Sequence, residues 1–205
     1  MSETKDLSHI HRFEKGGADR APLLLLHGTG GDEADLLGLG RMVARGASLL
    51  SPRGRVSENG MPRFFRRLAE GVFDHDDVRA RADELADFVA EAREAYGLAA
   101  PIALGFSNGA NIAAAVLYRR PEAFAGAVLI RAMVPLEEEP ATDLSGKPVL
   151  ILSGAADPII PADNAGRLAS VLEGAGADVT HHVLPAGHGL TQSDVSLASQ
   201  WLGAR

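Results

Sequence analysis

The chain has 205 residues, 46% of them hydrophobic, enough for one domain with a full core, and it contains no cysteine. Disulfides, thiolate-metal sites and cysteine nucleophiles are therefore excluded. A formal net charge of −7 argues against a nucleic-acid partner, which would want a basic surface. The polar start, Met1 to Asp6, lacks the apolar core of a secretory signal. The strongest apolar stretch, Leu23 to Leu26, is far too short to span a membrane. A cytoplasmic protein is expected, with residues 1–7 as a flexible tail on a single domain covering 1–205.

Apolar runs alternate with helical patterns, the mark of an α/β protein with a mostly parallel sheet covered on both faces. Ser8 to Phe13 reads as an edge strand. Pro22 to Leu26 is a buried strand running into His27-Gly28-Thr29-Gly30-Gly31. Asp32 to Ala44 reads as a helix with acidic residues in its first turn, where they complement the dipole. Ala47 to Ser51 is a strand, and Ser51 to Asp74 is a long loop bearing Arg53, Arg55, Arg63, Arg66, Arg67, Phe64, Phe65 and Phe73. Leaving the C-terminal end of a parallel strand, that loop should lie near the ligand crevice, and Arg53 and Arg63 are candidates to recruit an anionic substrate.

The clearest helix covers Asp76 to Tyr96, with Val78, Ala82, Leu85, Val89, Ala92 and Tyr96 on one stripe and Gly97 at its end. Its carboxylates, interleaved with arginines, read as a solvated face rather than an acid–base or metal site. Ile102 to Phe106 is the next strand and Ala110 to Tyr118 the next helix. Strands follow at Ala127 to Arg131, Pro148 to Leu152 and Val179 to Leu184, with helices at Pro161 to Glu173 and Gln192 to Leu202. Only about fifteen residues, including Glu137-Glu138-Glu139, join the strands near Leu129 and Leu150, so no cap domain fits there.

Between the strand 102–106 and its helix stands Gly105-Phe106-Ser107-Asn108-Gly109. A G-x-S-x-G pattern in a strand–turn–helix setting is a nucleophile elbow, which raises a serine hydroxyl above the sheet. Side chains at 105 and 109 would crowd such a turn. The hydroxyl needs a base oriented by a carboxylate, and the elbow fold orders these as Ser, Asp or Glu, His. Asp157, in Ala156-Asp157-Pro158 at a strand's C-terminal end, and His188, between Gly187 and Gly189, meet that order.

Rivals read more simply. Asp163 is a helix cap and Asp178 a turn residue. His181 and His182 are strand residues, and His75 is a loop residue. His9 and His11 make a weak metal pair without a third ligand. The backbone N–H of Asn108 and that of Thr29 are the candidate oxyanion donors, with His27 bracing the glycine-rich loop. Phe73, Met133, Ile159 and Leu190 are candidates for an apolar substrate wall, together with Arg53 for binding. No metal or organic cofactor is required.

With these residues the chain resembles the α/β-hydrolase superfamily, and within it the compact phospholipase/carboxylesterase group that includes acyl-protein thioesterases and small bacterial carboxylesterases. The resemblance covers Leu23 to Trp201. It is carried by Leu26-His27-Gly28-Thr29-Gly30, by the elbow, by Ala156-Asp157-Pro158-Ile159-Ile160-Pro161 and by Gly187-His188-Gly189. Pro52-Arg53-Gly54 with Asn59-Gly60-Met61-Pro62-Arg63-Phe64-Phe65 is similar to a bacterial branch of predicted hydrolases, some associated with quinone stress. The resemblance implies a three-layer α/β-hydrolase fold and a Ser107/Asp157/His188 triad cleaving a small ester through an acyl-enzyme. The thioesterases usually carry glutamine at position 108 and a histidine-glycine pair where Ser153-Gly154 stands, which loosens any transfer of their substrates. The related dienelactone hydrolases use a cysteine nucleophile, which this chain lacks. Thioesterase or lysophospholipase activity, and ligand binding without catalysis, are the alternatives. A homodimer is compatible with exposed apolar surface.

Overall fold

Four consecutive leucines show how the layers form. Leu23 and Leu25 enter one core and Leu24 and Leu26 the other, because neighbouring strand residues face opposite sides of a sheet. The computed structural model describes residues 5–138, 140, 142–161 and 163–205. The sheet residues lie in β1 (His11–Glu14), β2 (Leu23–Leu26) and β3 (Leu49–Pro52), then, past two small hairpins, in four later strands. The hairpins are β4 (Val56–Glu58) with β5 (Met61–Arg63) and β6 (Arg67–Ala69) with β7 (Val72–Phe73). The later strands are β8 (Ile102–Phe106), β9 (Gly126–Ile130), β10 (Pro148–Gly154) and β11 (Asp178–Leu184).

The main sheet runs β1-β3-β2-β8-β9-β10-β11, with β1 antiparallel to β3 and every other pair parallel. Helices α2 (His75–Tyr96), α3 (Asn108–Arg119) and α4 (Asn164–Gly174) cover one face. Helices α1 (Leu37–Val43) and α5 (Gln192–Gly203) cover the other. The expected three-layer α/β domain is present. Among the described residues the β9–β10 connection contains no helix or strand, as its length required. Glu139 of its acidic run lies outside the described residues, while Glu138 pairs with Arg79 at 2.8 Å. No described helix is long and apolar enough to cross a membrane.

Four expectations need correction. Of the expected 1–7 tail, residues 1–4 lie outside the described residues, and residues 5–7 are not a free tail. The Lys5 amide donates to the Tyr96 hydroxyl at 2.9 Å, and Leu7 packs on the core. Helix α1 starts only at Leu37, without an acidic first turn, because the Asp32 carboxylate accepts the Ala34 N–H at 2.8 Å and makes a turn instead. The segment read as one long loop, 51–74, carries the two hairpins. The first turns at Asn59-Gly60, with φ of 52° and 82°, the left-handed pair that a tight hairpin demands. His75, read as a loop residue, opens α2, whose N-cap Asp74 accepts the Asp77 N–H.

Candidate active site

The elbow is built as its glycines require. Ser107 sits at φ 52°, ψ −114° between β8 and α3, a conformation that costs roughly 1–3 kcal/mol and persists only when its surroundings dictate it. A side chain at Gly105 would meet the Gly109 carbonyl, and one at Gly109 would run into the Leu26 carbonyl at the end of β2. The Ser107 N–H donates to the Ile130 carbonyl at 2.9 Å, tying the turn to β9.

Three strand ends converge here. His188 Nε2 lies 2.9 Å from Ser107 Oγ, and its Nδ1 lies 2.8 Å from Asp157 Oδ2. Both spacings are within hydrogen-bond reach for proton transfer and orientation. The Asp157 side chain is 1% exposed and its other oxygen accepts the N–H groups of Ile159 (2.8 Å) and Ile160 (3.1 Å). Burial alone would raise its pKa. The Ile159 amide, His188 and the Ile160 amide outweigh burial and hold the carboxyl below its ordinary range. Asp157 therefore stays ionised while it orients the imidazole.

Thr29 and Asn108 line the same cleft as Ser107 and His188. Neither backbone N–H donates to another described residue. His27 braces this loop: its Nδ1 donates to the Gly28 carbonyl (2.7 Å) and its Nε2 accepts the Gly54 N–H (3.0 Å). Burial pulls the His27 pKa down, in keeping with a neutral ring in that role.

The cleft has a volume of about 280 Å³. Of the expected wall residues, Phe73, Met133 and Ile159 line it and Leu190 and Arg53 do not. Leu190 is carried outward where the chain turns into α5, and it is 39% exposed. Arg53 forms a two-point ion pair with Glu33 instead, its Nη2 2.9 Å from the carboxylate. Its charged lining is Arg63, Arg67 and Glu70, with Arg67 paired to Glu58 at 2.8 Å, and Asn111, Phe106 and Ile160 are further lining that the sequence reading did not single out. Arg63 is 3% exposed and donates to Thr29 Oγ1 and to the Phe65 carbonyl. Its Nε lies 3.3 Å from Glu58. Burial, reinforced by Arg67, lowers the pKa of its guanidinium, with Glu58 opposing. His9 and His11 pack against the Phe88 ring, at 4.7 and 5.4 Å between centroids, and no group of three potential metal ligands occurs among the described residues.

Residues 61–200 match the dienelactone hydrolase family. The chain belongs to that family. It is 46% identical over 193 residues to the putative hydrolase MhqD of Bacillus subtilis, covering 93% of this chain and 96% of that one. The carboxylesterase of Bacillus cereus superimposes with a TM-score of 0.94 at 46% identity, covering 96% and 94% of the two chains. YahD, solved with malic acid, superimposes with a TM-score of 0.91 at 34% identity, covering 96% and 98%. The chain is thus a hydrolase of the α/β-hydrolase fold whose structural neighbours include carboxylesterases. It differs from the cysteine-using members in carrying serine at its elbow, in a chain without cysteine.

Proposed function

We propose that this protein is a serine carboxylic-ester hydrolase working through an acyl-enzyme. The observation that carries the reading is the unbroken line from Ser107 Oγ through both nitrogens of His188 to Asp157. His188 Nε2 takes the Ser107 proton as Oγ bonds to the ester carbonyl carbon. The tetrahedral oxyanion is held by the N–H groups of Thr29 and Asn108, each donor being worth about 2.7–4 kcal/mol in such reactions. Asp157 holds the ring and stabilises the imidazolium. The proton passes from His188 to the departing alcohol oxygen, and the carbon–oxygen bond breaks to leave an acyl-serine. Water then attacks that acyl group, giving its proton to His188, and the carboxylic acid leaves as Ser107 recovers the proton.

Two features favour a small acid-bearing ester as substrate. Phe73, Phe106, Met133 and Ile159 are apolar lining of the cleft, and Arg63 and Arg67, with Glu70, are its charged lining. The relative YahD was solved with malic acid, a dicarboxylate. Hydrolysis of short p-nitrophenyl esters by the parent protein and by Ser107→Ala tests the reading. Turnover should fall by about a millionfold, the scale of a lost serine nucleophile. A variant that keeps most of its esterase activity contradicts it.

A further inference from the structure

The fully buried ion pair between Arg131 and Asp194 takes no part in the proposed reaction, yet it touches the loop that carries His188 and the strand that leads to Asp157. Arg131 follows the last residue of β9 with φ +56°, and both side chains of the pair are 0% exposed. All five guanidinium N–H donors are engaged. Nε donates to the Gly187 carbonyl (2.9 Å), Nη1 to the Leu152 carbonyl (3.1 Å) and Asp194 Oδ1 (2.8 Å), and Nη2 to the Gly189 carbonyl (3.1 Å) and Asp194 Oδ2 (2.9 Å). Gly187 and Gly189 are the residues on either side of His188.

Residues 185–190 form no helix or strand, so the backbone of His188 depends on point contacts. The Ala186 carbonyl is held by the Ala156 N–H at 3.0 Å; the carbonyls of Gly187 and Gly189 are held by Arg131. Asp194 in turn accepts the Thr191 N–H (2.8 Å) and hydroxyl (2.7 Å), fixing the start of α5 and with it the far end of the loop. The Arg131 N–H donates to the Leu152 carbonyl in β10, while the preceding residue, Ile130, accepts the Ser107 N–H. Arg131 and its neighbour Ile130 therefore reference the histidine loop to the strands that lead to the serine and the aspartate.

We infer that Arg131, anchored by Asp194, is the positioning residue for His188, setting the imidazole between Ser107 and Asp157. The inference rests on the ester-hydrolase reading. The pair is neutral as a unit, so its action on His188 is geometric. With every donor engaged, Arg131 has none for substrate although it borders the cleft. Its loss therefore lowers kcat and leaves KM. Lysine does not replace it, because three donors on a flexible stem lack the planar fork that spans two carbonyls and a carboxylate.

The test compares the parent with R131K and with R131M/D194L, since exchanging both members of a buried pair for apolar residues is often neutral for stability, whereas breaking it is not. On p-nitrophenyl acetate, kcat should fall about 100-fold in folded variants, the effect of displacing a reacting group by about 1 Å. KM should stay within about twofold, as expected when ground-state binding is untouched. The low-field proton resonance of His188 Nδ1–H, sharp in the parent, should broaden or vanish. Unchanged kcat and resonance in a folded variant, a rise in KM with kcat held, or loss of fold in both variants each overturns the inference. A parent protein that hydrolyses no ester and takes up no fluorophosphonate sinks the hydrolase reading instead, while the resonance still reports on positioning.

Discussion

The Phe64 N–H donates to Asn108 Oδ1 at 2.7 Å, so the residue after the elbow serine also holds down the segment that walls the cleft. Two further bonds complete the attachment: Gly30 N–H to the Pro62 carbonyl (3.0 Å) and Arg63 to the Thr29 hydroxyl. Both candidate oxyanion residues are thereby tied to residues 62–64. The short asparagine side chain at position 108 is matched to that distance, a structural reason for it beside the backbone donor that any residue there would supply.

Asn108→Ala removes the acceptor and strands the Phe64 N–H in a buried setting, at a cost of about 1–3 kcal/mol. Urea unfolding should register that loss, and KM for short esters should rise more than kcat falls, because the position 108 amide survives. Unchanged stability would mean that the contact does not hold the segment.

Arg63 and Arg53 should behave oppositely. Arg63→Gln removes a buried cation from the cleft, and should lower kcat/KM for a half-ester of a dicarboxylic acid about tenfold or more relative to a neutral ester, the scale of a charged hydrogen bond. Arg53→Gln, which only releases Glu33 outside the cleft, should leave that ratio alone. Equal losses on acidic and neutral esters would assign Arg63 to holding Thr29 alone.

The protein's response to acid should carry the mark of His9. Burial, with Arg55 adding to it against Glu84 and Glu91, lowers its pKa from 6.5 to about 4. Between those values the unfolded chain binds a proton that the folded chain refuses, so stability is lost as pH falls through this window and the loss is complete below about 4. The shift corresponds to something on the order of 3 kcal/mol. His9→Gln should lose less stability than the parent between pH 7 and 4 by about that amount. Parallel curves for the two proteins would rule the histidine out.

The line Ser107, Asp157, His188 was legible because each residue ends or follows a strand, and strand ends of a parallel sheet share one rim. The order of the three layers was legible for the same reason, in apolar runs such as Leu23 to Leu26. The hairpin at Asn59-Gly60 was missed inside the long loop 51–74, although that dipeptide favours a tight turn. What could not be read were partners distant in the chain. Arg53 looked like a substrate ligand until Glu33 neutralised it, and Arg131 looked like one more strand residue with no sign of Asp194. Leu190 failed as a wall residue because two residues after the histidine the backbone turns toward α5, a direction set by the Thr191 cap.

Treating the native protein with a fluorophosphonate and locating the adduct by peptide mass mapping tests the central claim most directly. The account predicts one adduct, on Ser107, abolished by Ser107→Ala and slowed by His188→Ala. No adduct, or one on Ser153, whose hydroxyl lies 2.8 Å from His181, would contradict it.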